Sequence, residues 1–172
     1  DMGVFATGAL GILEDREDLF RAYPYPIGSY AAGVDARGVC NSFAREYELN
    51  VQQVVLEFGV DYERKVIDWS NISPTVRSLW ERGSYLSPVQ VRWLVTENVD
   101  KNSNYYQAKF KPYSSCYYEK GDDQGKFLRE SGFDEFPVLL GRWERTGEDT
   151  YGTDCPGMTA LGDVRQLQLE ER

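Results

Sequence analysis

The chain has 172 residues, of which 41% are apolar and 14% aromatic, enough to bury a core and too apolar for disorder. Its 28 acidic and 19 basic residues leave a net charge of −9, the wrong sign for a free-standing nucleic-acid reader, whose affinity comes from neutralising phosphates. Histidine is absent, which removes Ser-His-Asp and Cys-His nucleophile systems, HExxH metal sites and the commonest neutral-pH base.

Residues 3–13 (GVFATGALGIL) are small and apolar and have the length of one long strand. The charged cluster Glu14-Asp15-Arg16-Glu17-Asp18 follows, and Leu19-Phe20-Arg21-Ala22-Tyr23 resumes an extended pattern, so a hairpin with a charged tip is expected. A calcium loop would need carboxylates alternating around a central glycine, which this cluster lacks. Pro24 and Pro26 confine pairing here to a sheet edge or a bend. Residues 30–34 read as a short strand, Asp35-Ala36-Arg37-Gly38 as a turn, and 39–49 as the returning strand, with Val39, Phe43, Tyr47 and Leu49 alternating against polar partners.

Asn50 opens the first expected helix, capped by its own side chain and by Gln53 in a capping box. Val51, Val54, Val55 and Phe58 share one face, and Gly59 supplies the stop. Residues 61–69 are read as helical. Ser73-Pro74 starts another helix, with Val76, Leu79 and Trp80 inward and Gly83 at its end. These helices make an insertion over 50–83. Trp69, Leu79 and Trp80 read as core, since no basic residues interleave with them as in a stacking platform.

From Val89 the strands return. Val89, Val91, Trp93 and Val95 alternate with Gln90, Arg92 and Leu94. Lys101-Asn102-Ser103-Asn104 turns, residues 105–118 run extended with a break at Pro112, residues 120–125 turn again, and 126–131 return. Strands joined by short polar turns indicate an antiparallel meander. Twelve tyrosines and four tryptophans suit such a sheet. The fold class is therefore α+β: mainly antiparallel sheet with a short-helix insertion and a C-terminal helix, in a single domain spanning 1–172.

The remaining chemistry searches end in negatives. Cys40, Cys116 and Cys155 are odd in number, widely spaced and without a CxxC, so they read neither as a zinc site nor as a disulfide framework, and they point to a reducing compartment. Asn71-Ile72-Ser73 is read as a chance sequon. No apolar stretch approaches the roughly 18 residues a membrane span needs, and no signal peptide is visible. Gly3, Gly8 and Gly11 do not form a dinucleotide fingerprint, and no phosphate-binding loop exists. The acidic pairs Asp122-Asp123, Asp134-Glu135 and Glu148-Asp149 could form a glycosidase dyad, but each sits in an expected turn or strand entry where solvated carboxylates are usual. No catalytic, cofactor-binding or metal-binding residue is assigned.

The last stretch is the most distinctive. It runs Phe133-Asp134-Glu135-Phe136-Pro137, an apolar run Val138-Leu139-Leu140 read as a buried strand, Arg142-Trp143-Glu144-Arg145, a polar turn Thr146-Gly147-Glu148-Asp149, and Tyr151-Gly152. A helix then begins near Cys155-Pro156, with Met158, Leu161, Val164 and Leu167 recurring every third residue. It reads as an amphipathic helix made to pack on something. On physics alone the stretch is scaffold, with no reactive group.

In order and identity these residues resemble the portal, or head-to-tail connector, proteins of short-tailed bacteriophages. That family carries a pattern of Ser-Gly-aromatic-Asp-Glu-Phe-Pro, an apolar run, Arg-Trp-x-Arg, Tyr-Gly, and a helix entry of the form P-x-M-x-x-L-x-D-aliphatic-basic-x-L. Here Ser131-Gly132-Phe133-Asp134-Glu135-Phe136-Pro137, Arg142-Trp143-Glu144-Arg145, Tyr151-Gly152 and the run from Pro156 through Met158, Leu161, Asp163-Val164-Arg165 and Leu167 match it. Asp35-Ala36-Arg37-Gly38 and Phe58-Gly59 match two further points. Thr153-Asp154-Cys155 makes one link about a residue longer than is usual, and Gly162 stands where proline is common.

The resemblance implies an internal piece of a longer portal subunit, from its wing region. It implies a homo-oligomeric ring of about a dozen subunits when full length. The packaging terminase, capsid and tail proteins are the implied partners, and DNA passes through the channel without sequence-specific binding or any membrane. The location implied is the virion, after synthesis in the host cytoplasm, with no cofactor and no enzymatic activity. The 172-residue piece alone is expected to be mainly monomeric. Two other readings stay open. A stand-alone binding module would show Tyr105, Tyr106, Tyr113, Tyr117 and Tyr118 as one exposed cluster. A carboxylate hydrolase would show two acidic groups in one cleft, one with a raised pKa.

Overall fold

The computed structural model describes residues 2–15, 18–61, 64–122, 125–147 and 149–170. They divide into two compact units, Asp1–Phe43 with Phe136–Arg172, and Ala44–Glu135. Both are built mainly of antiparallel strands with a few short helices, as the patterning predicts.

In the first unit, β1 (Thr7–Asp15) lies between β2 (Leu19–Tyr25) and β10 (Val138–Arg142), antiparallel to both. β2 is an edge strand, with Pro24 opposite Leu10 where a missing amide is tolerated. Residues sharing one face alternate along β1. Thr7, Ala9 and Gly11 are buried on the inner face together with their partners Tyr25 and Val138. Tyr25 and Tyr30 both pack against Phe43, at ring-centroid distances of 5.4 and 5.3 Å. Phe43 lies in β4 (Cys40–Asn50), which is hydrogen-bonded to β3 (Tyr30–Val34). Val39, expected inward, is exposed, because it belongs to the turn before β4 begins.

The opening strand expected over 3–13 is shorter than its apolar run. Residues Met2–Phe5 form a helical turn, α1, and Ala6 reverses the chain at φ 58° before β1 starts. The glycines Gly8 and Gly141, paired across β1 and β10, leave the space in which the Met2 side chain sits. The Val138-Leu139-Leu140 run is also not buried throughout: Val138 is buried, whereas Leu139 is 57% exposed on the opposite face of β10. Helix α4 (Pro156–Glu170) forms as expected, but none of its residues is buried. A strict spacing of three falls about 60° short of a full turn at each step, so the apolar row winds around the helix instead of making one face. Arg16 and Glu17 of the expected hairpin tip lie outside the described residues.

In the second unit, β4 is followed across the sheet by β7 (Pro88–Glu97), β8 (Tyr113–Glu119) and β9 (Phe127–Phe133). Val89, Val91, Trp93 and Val95 all point inward from β7, the alternation read from the sequence. Asn50 caps α2 (Val51–Val54): its side chain accepts from the Gln53 amide at 2.8 Å and the Gln53 side chain accepts from the Asn50 amide at 2.9 Å. The helix widens into a π-helical turn, Val55–Gly59. Gly59 is not in the left-handed conformation that a helix stop would use. It is small because a Cβ there would stand 2.6 Å from Ile72 Cδ1.

Among the described residues the helix expected over 61–69 does not form, and Tyr62 and Glu63 of that stretch lie outside them. Val60–Asp61 and Val66–Ile67 form a two-stranded hairpin, β5 and β6, turned by Lys65 at φ 56°. α3 (Pro74–Glu81) starts and stops as predicted. The Ser73 hydroxyl accepts from the Val76 amide, and Gly83 at φ 76° closes the end, its amide bonding Trp80 O while the Ser84 amide bonds Leu79 O, a Schellman arrangement. Residues 105–118 are not one extended segment, since Ala108–Phe110 form a 3-10 turn held by the Asn98 side chain, which donates to Lys109 O and Lys111 O at 2.8 Å. The core of this unit is Val51, Val54, Val55, Ile72, Val76, Val89, Val91 and Leu128.

Candidate functional site

The most highly specified place in the first unit is the 35–38 turn. Asp35 Oδ1 accepts from the amides of Arg37 and Val39 at 2.9 and 2.8 Å, an Asx arrangement that fixes the turn. The Val39 amide is the main cause that holds the Asp35 carboxyl below its ordinary range. Gly38 adopts φ 72°, which only glycine takes without strain, and its carbonyl faces two arginines. Arg142 Nη2 donates to Gly38 O at 2.6 Å, and Arg145 Nη1 donates to the same oxygen at 3.1 Å. A Cβ at position 38 would lie 2.4 Å from Arg145 Nη1, so the small residue is needed for space as well as for φ.

Arg142 also reaches the segment that follows. Its Nη1 donates to Asp149 O at 3.1 Å and to Thr150 O at 3.4 Å. One planar guanidinium thus ties the 35–38 turn to residues 149–150 through main-chain carbonyls, a use for which lysine lacks the forked geometry. Next to it, the Tyr151 hydroxyl accepts from the Ala32 amide at 2.9 Å, and the Gly152 amide donates to Thr7 Oγ1 at 2.8 Å. A Cβ on Gly152 would fall 2.1 Å from the Ala6 carbonyl oxygen. The Trp143 amide donates to that same Ala6 carbonyl at 2.8 Å. Asp35-Ala36-Arg37-Gly38, Arg142-Trp143-Glu144-Arg145 and Tyr151-Gly152, three separated stretches of the sequence, therefore meet in one clasp. Its partners are main-chain groups and hydroxyls.

Asp134 is exposed and accepts from Lys111 Nζ at 3.0 Å, and Glu135 is also exposed. Asp123 and Glu148 lie outside the described residues. Sequence reasoning missed Glu119, at the end of β8. Burial pushes its carboxyl above the ordinary range, with the nearby Asp122 adding to the rise and a Ser73 hydrogen bond opposing it, and its Oε2 is buried with no hydrogen-bond partner among the described residues. A strand position of mixed exposure gives no signal of this in one dimension. Among the described residues, no three His, Cys, Asp or Glu side chains are grouped to hold a metal, and no helix is long and apolar enough to cross a membrane.

The tyrosines divide rather than forming one exposed cluster. Tyr106 is 98% exposed and Tyr105 is exposed beside Phe110, lining a surface depression with Lys101, Lys111 and Pro112. Tyr113, Tyr117 and Tyr118 are half-buried. Tyr117 stacks on Trp93 at 5.8 Å and leans on Phe58 at 5.4 Å.

Comparison with known proteins matches residues 1–172 to the family described as bacteriophage head to tail connecting protein. The chain is 45% identical over 171 residues to the portal protein of Salmonella phage epsilon15, covering 99% of this chain and 29% of that protein. It is 35% identical over 171 residues to the probable portal protein of Bordetella phage BPP-1, again covering 99% of this chain and 29% of the relative. The chain thus spans under a third of the length of these relatives.

Proposed function

This chain belongs to the bacteriophage head-to-tail connecting protein family, and from that premise we propose that it is the β-rich wing region of a portal subunit. Its role is structural. In the full-length protein about a dozen copies close into a ring at the capsid vertex. The genome is packaged and ejected through the channel, and the packaging terminase, the capsid and the tail proteins attach around it. The subunit acts in the virion after synthesis in the host cytoplasm.

The observation that carries this reading is the clasp at Gly38. Arg142 and Arg145 are both spent on a main-chain carbonyl, joining distant stretches into one shape, and the same residues carry the family pattern. Such a site makes a shaped body rather than a reaction centre. The net charge of −9 supports a wall past which DNA moves without adhering.

Negative-stain electron microscopy of the purified full-length protein tests the proposal. Rings with a central hole are expected, while the 172-residue chain should scatter light as a monomer. A full-length protein that stays monomeric at high concentration would contradict the assignment.

A further inference from the structure

On the inner face of the first unit's three-stranded sheet, Thr7, Ala9, Gly11, Tyr25 and Val138 are buried, and that face also carries Asp15, Arg21 and Arg142. The outer face carries Leu10 and Ile12 from β1, Phe20, Ala22 and Pro24 from β2, and Leu139 from β10, which the register places side by side. Phe20 is 63% and Ile12 41% exposed, and the only charged residue on this face among the described residues of the three strands is Glu14, at the far end. A strand that faces water on one side alternates apolar and polar residues. A near-continuous apolar run such as Gly8-Ala9-Leu10-Gly11-Ile12-Leu13 is the pattern of a strand covered on both faces. An open apolar face of this kind, beside the free edge of β2, marks a surface with a partner.

We propose that the partner is the stretch of the same polypeptide immediately preceding Met2, lying across this face as a continuation of α1. Three observations point to it. The α1 turn already occupies the near end of the face: Met2 Cγ stands 3.1 Å from the Cβ position of Gly8, and Met2 Sδ stands 2.9 Å from that of Gly141. After the reversal at Ala6, the Met2 main-chain nitrogen lies 4.0 Å from the Gly8 Cβ position, on the face that carries Leu10 and Ile12. Finally, the relatives are more than three times as long as this chain. A helix continuing upstream and presenting apolar side chains to Leu10, Ile12, Phe20 and Leu139 would complete both the turn and the sheet.

This inference needs the longer polypeptide but not the ring, so failure to assemble would leave its test intact. In the full-length protein, photoreactive benzoylphenylalanine is placed at Phe20, and isotope-labelled and unlabelled copies are mixed before irradiation. Cross-links to peptides upstream of Met2 within one copy are expected. Cross-links between labelled and unlabelled copies, cross-links to sequence beyond Arg172, or none at all would overturn the proposal. In parallel, Leu139→Cys is alkylated and the modified peptide is followed by mass spectrometry. Reaction should be slower by about tenfold or more in the full-length protein than in a variant lacking the upstream residues, the factor expected when opening costs about 1.4 kcal/mol. Equal rates would refute it.

Discussion

The two units are stabilised by different means. The second unit, Ala44–Glu135, closes a valine-rich core around α2, α3 and β7, and Val51 and Val54 of α2 and Val55 of the π-helical turn are fully inaccessible. The first unit is held by specific polar contacts and close glycine packing: the arginine clasp on Gly38, the Gly152 amide on Thr7 and the seat of Met2 on Gly8 and Gly141. It leaves Phe20, Leu139, Trp143 and the apolar residues of α4 in solvent. Both units leave large apolar side chains exposed, Leu86, Val99 and Tyr106 among them in the second, so the difference lies in what holds each interior: packed valines in one, polar clasps and glycine contacts in the other.

The contrast is broken most severely at Trp93. This ring is buried, its Nε1 donates to Ser115 Oγ at 2.9 Å, and it stacks on Tyr117. Trp93→Ala should destabilise the second unit by about 3–5 kcal/mol through lost burial and the cavity left behind. Urea unfolding followed by tyrosine and tryptophan fluorescence measures it, and a loss under 1 kcal/mol would mean that the core is not where the burial places it. Arg142→Lys comes next, with an expected cost of about 2 kcal/mol, since charge-assisted hydrogen bonds to three carbonyls are lost and an ammonium cannot restore the fork. Hydrogen exchange should accelerate around 38–40 and 149–153 while amides of α2 and β7 keep their protection. Uniform acceleration would erase the distinction between the units.

Glu119→Gln should act in the opposite direction and more weakly, within about 1 kcal/mol. The carboxyl of Glu119 is pushed upward in the folded chain by burial, so the folded state holds its proton to higher pH than the unfolded state does. Its destabilising contribution is therefore absent below the unfolded pKa, grows as pH rises through the interval between the two pKa values, and is full above the folded one. The glutamine variant should melt higher than the parent at neutral pH, with the difference vanishing in acid, and a difference that grows toward acid would have the wrong sign. The smallest effect is expected for Phe20→Ser in the 172-residue chain, within about 0.5 kcal/mol, because that ring already stands in water.

Local signals in the sequence were legible where one residue type has one mechanism. The Asn50–Gln53 capping box, the Ser73-Pro74 start and Gly83 stop of α3, and the alternation of β7 all follow from side-chain chemistry within a few positions. The 61–69 stretch differs from its expected helix because Lys65 in the left-handed region is not a conformation a sequence announces without glycine. Gly59 was placed correctly for the wrong reason: its neighbour Ile72 is thirteen positions away, beyond any local pattern. The clasp lies further still from local reasoning. Arg142 and Gly38 are 104 residues apart, and only the resemblance to a family drew attention to both. The reach of Met2 over Gly8 and Gly141 had no sequence signal beyond the two glycines themselves.

Hydrogen exchange on the assembled full-length protein, set against the 172-residue chain alone, addresses the central contrast most directly. The account predicts that amides of α2, α3 and β7 exchange at the same rates in both, while those of α1, β2 and α4 gain strong protection only in the full-length protein. Gains confined to the second unit, with β2 and α4 exchanging equally fast in both, would contradict it.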